Sequence, residues 1–204
     1  MRVAILGGTG PFGRGLATRL GAEGIEVVIG SRDPERARAV ATEIGCTGLR
    51  NVAAVSGMDI VVLAVTADAA IPTAHAVRDW LRSPLLSVAS ALEFAGGTAR
   101  PWSDTKSLAE RVSEIVDVPV LAGLHSLAAG KLAREKPDED ALLCGNDKDA
   151  KKLALEVAQL VVAGRAIDAG SLAVARALEG MTAVILNVNR TYKTHAGIRL
   201  TGLA

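Results

Sequence analysis

The sequence predicts an α/β fold: a Rossmann-type, doubly wound parallel sheet with a small C-terminal helical or mixed segment. Three observations lead there. Short β-branched runs alternate with Ala- and Arg-rich stretches of helical period, the pattern of βαβ units around a parallel sheet. A glycine cluster, Gly8-Thr9-Gly10-Pro11-Phe12-Gly13, follows the first apolar run directly and opens a helical stretch. After Gly170 the alternation stops, and one long apolar stretch runs from Ser171 to about Asn189.

Taken in order, the apolar runs predict strands at Arg2-Leu6, Glu26-Ile29, Ile60-Ala64, Leu85-Val88, Pro119-Ala122, Ala141-Cys144 and Ala166-Asp168. Helices are predicted near Pro11-Glu23, Pro34-Ile44, Asp68-Trp80, Lys106-Val116 and Asp149-Val162. Between Ala91 and Thr105 lies a long irregular segment with Gly96, Gly97, Pro101 and Trp102, and loops of that length inside a domain often serve as lids. In the last stretch Leu172, Ala175, Leu178, Met181, Thr182, Ile185 and Leu186 recur at helical spacing. That helix is too apolar all round to stand in water, so the first domain or a second subunit must cover it. The expected division is a nucleotide-binding domain at 1–145 and a C-terminal segment at 146–204 that completes a pocket and a dimer interface.

Composition narrows the class. With 204 residues, half of them hydrophobic, the chain can bury one sizeable core and a small appendage. Lys and Arg number 23 against 22 Asp and Glu, so no positive excess is available for a nucleic-acid backbone, and nucleic acid is not an expected partner. Apolar runs such as Ile60 to Val65 stop far short of the roughly 20 residues a membrane helix needs, so no membrane partner is expected. Met1-Arg2 enters a strand with no apolar leader, which predicts a cytoplasmic protein. Cys46 and Cys144 form no C-x-x-C pair and are expected to be reduced filler. His75, His125 and His195 share no ligand spacing, so no metal is expected.

The glycine cluster is a G-x-G-x-x-G fingerprint in its proper strand-turn-helix setting. Gly8 permits the tight turn, Gly10 lets a pyrophosphate approach the backbone, and Gly13 lets helix and strand pack closely. The pyrophosphate then meets the free N–H groups and the positive end of the helix dipole. The next strand selects the dinucleotide. An NAD site ends it with Asp or Glu for the ribose, whereas here the chain has Gly30-Ser31-Arg32. A 2′-phosphate would meet the Ser31 hydroxyl, the Arg32 guanidinium and Arg36 one turn into the next helix, at roughly 1.5–3 kcal/mol per charge-assisted bond. NADP is therefore the expected cofactor. The alternative, a solvated Arg32 beside a helix cap at Asp33, needs no ligand.

The chemistry is easier to exclude than to name. A Tyr-x-x-x-Lys dehydrogenase pair is unsupported, because the only tyrosine, Tyr192, is followed directly by Lys193. Hydride transfer between two redox cofactors needs alignment and a dry site but little acid-base help. His125, just past the Pro119-Ala122 strand, sits where ligands of open α/β sheets bind, and either a functional or a structural role fits it.

Several segments together resemble the NADPH-dependent coenzyme F420 reductases, also called F420-dependent NADP oxidoreductases. They are Leu6-Gly7-Gly8-Thr9-Gly10, Gly30-Ser31-Arg32, Leu124-His125-Ser126 and the run from Asp168-Ala169-Gly170 through Arg176, Thr182 and Ile185-Leu186-Asn187 to Gly197-Ile198. The resemblance spans essentially the whole chain. It implies an enzyme that moves a hydride reversibly between NADP(H) and the 8-hydroxy-5-deazaflavin coenzyme F420, working as a homodimer. It implies an NADP site at Thr9, Gly10, Pro11, Phe12, Ser31, Arg32 and Arg36, with Val65, Ala91 and Ala129 beside the ribose and nicotinamide. His125, in an orienting role, and Thr182 fall at its deazaflavin pocket. Gly180 and Thr66-Ala67 depart from the family pattern, at a small hydroxyl residue and a Pro-aromatic pair respectively. An NADPH-dependent flavin or imine reductase, or a non-catalytic NADP-sensing module, stays open as an alternative.

Overall fold

The β-branched runs pair into one large sheet because each is apolar on both faces and needs cover on both. In the computed structural model, which describes residues 1–203, its strands are β1 (Arg2–Leu6), β2 (Glu26–Ser31), β3 (Thr47–Arg50), β4 (Ile60–Leu63), β5 (Leu85–Ser87), β8 (Val120–Gly123), β9 (Ala141–Gly145) and β10 (Ala166–Asp168). Two further strands, β6 (Leu92–Ala95) and β7 (Thr98–Pro101), form a separate hairpin. Ala204, the last residue of the predicted C-terminal segment, lies outside the described residues.

The order across the sheet is β10-β9-β8-β5-β4-β1-β2-β3. Neighbours run parallel from β3 to β8, and β8 pairs antiparallel with β9. The predicted all-parallel sheet is therefore mostly parallel, with β9 and β10 reversed. The chain turns back at Leu124, whose φ of 62° is left-handed and whose N–H bonds Leu142 O at 3.2 Å. No long crossover helix intervenes to carry it to the other end of the sheet, as a parallel pairing requires. The boundary drawn at 145/146 falls just after β9, and β10, from beyond it, joins the same sheet.

Alternate residues of β1 face opposite layers, Val3 and Ile5 one way, Ala4 and Leu6 the other. The first layer holds α1 (Pro11–Ala22), α2 (Pro34–Ile44), α6 (Ala129–Leu132) and α7 (Lys148–Val161). The second holds α3 (Asn51–Ala54), α4 (Ala67–Val77), α5 (Leu108–Ser113) and α8 (Ala175–Tyr192), the last entered through a 3-10 turn at Leu172–Val174.

Two expectations change here. The segment expected to be an irregular lid is the β6–β7 hairpin, turned by Gly96 and Gly97 at φ of 56° and 76°, the double positive φ of a type I′ hairpin turn. The C-terminal helix carries polar residues among its apolar ones, and only part of its apolar surface is left open. Ala175, Leu178, Glu179, Ala183 and Ile185 of α8 are buried, while Val184, Leu186, Val188 and Tyr192 are exposed. Its own domain covers one face.

The tail beyond α8 is tied down by one fully buried acid. Asp140 accepts from Arg165 Nη2 at 2.8 Å and from the backbone N–H groups of Arg165 and Leu200 at 2.9 and 2.8 Å. Its own N–H reaches Ile198 O at 2.7 Å. The Arg165 guanidinium holds the Asp140 carboxyl well below the usual carboxylate range. A depressed folded value means the pair stabilises the fold above the unfolded carboxyl value, near 4, and that this contribution is lost as pH falls further. Arg165→Ala leaves the buried carboxylate without its cation and should destabilise the fold at pH 7. Urea unfolding should show that gap narrowing below pH 4; equal stability at pH 7 would mean the clamp contributes nothing.

Candidate functional site

A cavity of about 460 Å³ opens where β1, β2 and β4 end. Its floor is the turn between β1 and α1. Gly7, at φ of 80°, and Gly8 both donate to Gly30 O, at 3.1 and 3.2 Å, which draws the turn against β2. Gly10 and Pro11 then start α1 with no side-chain cap. Pro11 has no N–H to satisfy, and the Phe12 and Gly13 amides have no carbonyl a turn earlier to reach, so the helix opens toward the cavity as an anion site.

The second wall is the end of β2. Ser31 is buried, and its Oγ accepts the Asp33 N–H at 3.2 Å. Asp33 caps α2 through the N–H groups of Glu35 and Arg36, at 3.0 and 3.2 Å. Its carboxylate therefore serves the helix backbone, leaving the side chains of Arg32 and Arg36, which also line the cavity, to face it as cations. Of the nearby acids, Glu35 pairs with Arg38 and Glu43 with Arg14, while Asp68 lies near Arg32.

The third wall holds Val65 and Thr66 past β4, Ala69 and Thr73 of α4, and Asn51 at the start of α3. Asn51 went unnoticed in the sequence. Its side chain is buried, and its Oδ1 has no hydrogen-bond partner. It fits beside the bare Cα of Gly30, where a Cβ would stand 2.7 Å from that oxygen. A second cavity of about 140 Å³ continues the cleft past Arg32, Asn51 and Thr73.

Thr9, Gly10, Pro11, Phe12, Ser31, Arg32, Arg36 and Val65 thus share one cleft. Gly8 and Gly13 lie beneath it. A Cβ on Gly8 would sit 2.7 Å from Ile29 Cγ2, and one on Gly13 2.7 Å from Gly8 Cα, so both act in packing. Ala129 lines a neighbouring cavity behind Pro11 with Arg14 and Thr18, and Ala91 a small crevice with Trp102 and Glu179.

His125 and Thr182 meet each other under the end of β5. Thr182 Oγ1 donates to His125 O at 3.0 Å and lies 2.8 Å from Ser90 Oγ. His125 is buried with Nε2 3.3 Å from Ala89 O. A carbonyl only accepts, so Nε2 carries the proton and the bare Nδ1 is left without a partner. Burial pushes the ring down to about 4, against a smaller opposing effect of the Ala89 carbonyl. Tyr192 is exposed at the far end of α8. Among the described residues no three His, Cys, Asp or Glu side chains gather as a metal site would require.

This geometry agrees with what the chain is similar to. The model of the family described as NADP oxidoreductase coenzyme F420-dependent matches residues 2–91. The F420-dependent NADP reductase of Methanothermobacter thermautotrophicus is 35% identical over 100% of this chain and 96% of its own length. A solved chain from Arthrobacter sp. FB24, provisionally assigned as an F420-dependent NADP-reductase, superposes with a TM-score of 0.84 at 24% identity, covering 99% of this chain and 100% of that one. The imine reductase of Streptomyces aurantiacus shares the fold more distantly, with a TM-score of 0.64 at 19% identity over 95% of this chain and 62% of its own. The chain belongs to the F420-dependent NADP reductase family.

Proposed function

We propose that the protein is an oxidoreductase that transfers a hydride reversibly between NADP(H) and coenzyme F420. The observation that carries this is the charge arrangement of the main cleft. An uncapped helix N-terminus stands at one wall, Ser31, Arg32 and Arg36 stand at the next, and no acid occupies the ribose position. Those are the donors a pyrophosphate and a 2′-phosphate require. The unpartnered Asn51 amide adds a polar group at the adenosine end, where a bound ribose would satisfy it.

The bound pair supplies reversible hydride transfer between a nicotinamide and an 8-hydroxy-5-deazaflavin ring. The chain's residues bind, orient and exclude water. Gly10 and the first turn of α1 hold the pyrophosphate, while Ser31, Arg32 and Arg36 hold the 2′-phosphate. Gly8 and Gly13 let the turn lie close enough for both. Val65 leads the cleft toward the end of β5, where Ala89, Ser90 and Ala91 offer a small-residue wall. Ala129 flanks the other side of Pro11. His125 and Thr182 act there as orienting groups, and a neutral His125 moves no proton.

Assembly and location follow the same reading. The exposed Val184 and Val188 of α8, four residues apart on one face, suit a homodimer with two-fold symmetry, since a matching apolar stripe on a second copy would cover them. No helix among the described residues is long and apolar enough to cross a membrane, and a cytoplasmic protein acting on diffusible cofactors is the location we propose.

Mixing the protein with NADPH and oxidised coenzyme F420 should bleach the deazaflavin absorbance; turnover only with a flavin or an imine would replace this reading, and binding without turnover would make the protein a sensor. NADPH should bind at least about tenfold tighter than NADH, roughly 1.4 kcal/mol, and Arg32→Ala should remove most of the difference. Equal affinities in the wild type would refute the assignment of β2. Because His125 is already neutral above about 4, log kcat should show no histidine ionisation between pH 6 and 8. A step near 6.5 that disappears in His125→Gln would give the ring a proton-transfer role instead.

A further inference from the structure

Two helices begin at the main cleft, and their N-termini are finished differently. α1 opens from Gly10 with no side-chain cap. α2 opens from Asp33, whose Oδ1 alone accepts both the Glu35 N–H, at 3.0 Å, and the Arg36 N–H, at 3.2 Å. Pro34, the first residue of α2, has no N–H to offer. The first two amides that α2 could present to an anion are therefore taken by a carboxylate of the chain itself. Asp33 is the one acid among the described residues that line this cleft. Among those residues it forms no ion pair, and neither do Arg32 and Arg36, so no direct contact cancels its charge.

Asn and Ser cap helices about as well as Asp does. Backbone hydrogen bonding alone therefore does not call for a carboxylate at this position. What the carboxylate adds is a negative charge, which favours the α2 dipole and repels any anion brought to the same wall. Ser31 Oγ accepts the Asp33 N–H at 3.2 Å and keeps its own proton to donate. The group that would donate to a 2′-phosphate is thus tied directly to the residue whose charge opposes it. A phosphate monoester carries about 1.5 to 2 negative charges at pH 7, whereas the ribose of NADH carries none at that place. The repulsion falls on the phosphorylated cofactor.

We propose that Asp33 is a specificity-determining residue of the NADP site, its charged helix cap limiting the grip of Ser31, Arg32 and Arg36 on the 2′-phosphate. This rests on the NADP-binding reading and adds to it the one charge in the cleft that works against binding. Holding a cofactor equally in ground and transition states lowers KM without speeding the chemistry, and a cofactor held too firmly slows its own release. An enzyme that must exchange NADP and NADPH at every turnover gains from such a limit. The same charge narrows the preference for NADPH over NADH below what the two arginines would give alone.

The test compares the full-length wild type with Asp33→Asn and Asp33→Ser, which keep a capping oxygen and remove the charge. Calorimetry gives the Kd of each for NADPH, NADH, adenosine 2′,5′-bisphosphate and adenosine 5′-monophosphate, at low salt and at about 1 M salt, where the screening length shrinks to about 3 Å. Both variants should bind NADPH and the bisphosphate at least about threefold tighter at low salt. Their Kd for NADH and the monophosphate should stay within about twofold of wild type, and the gain should shrink at high salt. A cap acting only on the fold would move all four ligands together. Equal changes for NADPH and NADH, or an NADPH Kd that is unchanged or weaker in both variants, therefore overturn the proposal. Should one variant fail to fold, the same outcomes in the other decide it. A wild type that prefers neither NADPH nor the bisphosphate, and loses no affinity for either in Arg32→Ala, is a separate result: it removes the NADP reading, and this proposal with it.

Discussion

Gly7 and Gly8 both bond Gly30 O, and every feature of the main cleft depends on how close that lets the β1–α1 turn come to β2. A Cβ on Gly8 would run into Ile29, and one on Gly30 would stand 2.7 Å from Asn51 Oδ1 and 2.9 Å from Leu6 Cδ2. Any side chain at either position drives the turn and the end of β2 apart. The consequence is electrostatic as much as steric. The positive end of α1 and the Ser31–Arg32 corner must lie within one dinucleotide's length to act on the same ligand, and the bare glycines set that separation.

At the other end of the cleft the organising element is α8, which is remote in sequence. Four of its polar residues reach different pieces of the chain from β5 to α5. Arg176 meets Asp104 O and Glu179 the start of α5, while Thr182 reaches Ser90. Asn187 brackets Ala99 of the hairpin, accepting from its N–H at 2.9 Å and donating to its carbonyl at 2.8 Å. A hairpin alone is marginal in water, and this one has Phe94 exposed, so its order comes from these ties. The C-terminal helix is thereby part of the functional edge of the sheet.

What could be foreseen from sequence follows from how local each signal is. The strand, glycine turn and helix at residues 2–22 are contiguous, and Ser31-Arg32 closes β2, so their placement in the fold was legible. Asn51 was not. It follows a four-residue strand and opens a four-residue helix, both too short for their periodicity to register, and its place beside Gly30 is purely tertiary. The reversal of β9 depends on a left-handed Leu124, a conformation that no residue preference announces. The Gly96-Gly97 turn was visible, but the short strands around it, one ending in Pro101, resembled a loop. In α8 the count of apolar residues hid the polar ones between them, and those are the residues that tie it down.

The two ends of the cleft also differ in charge, and burial accounts for the difference. At the phosphate end Arg32 and Arg36 remain cationic at any working pH. At the other end burial drives the groups toward neutrality from both directions, pushing His125 down to about 4 and raising Glu179, although the Leu108 and Ala109 N–H groups pull the latter back. A hydride passing between two rings needs no proton from the protein, and a nearby titrating charge would alter the relative stability of the two redox states as pH changed. A neutral histidine used as a hydrogen-bonding peg, its Nε2 on Ala89 O, avoids that coupling. In the proposed reading a residue type that elsewhere serves as acid or base would fix geometry, and the anionic cofactor would be bound by charges placed well away from where the hydride moves.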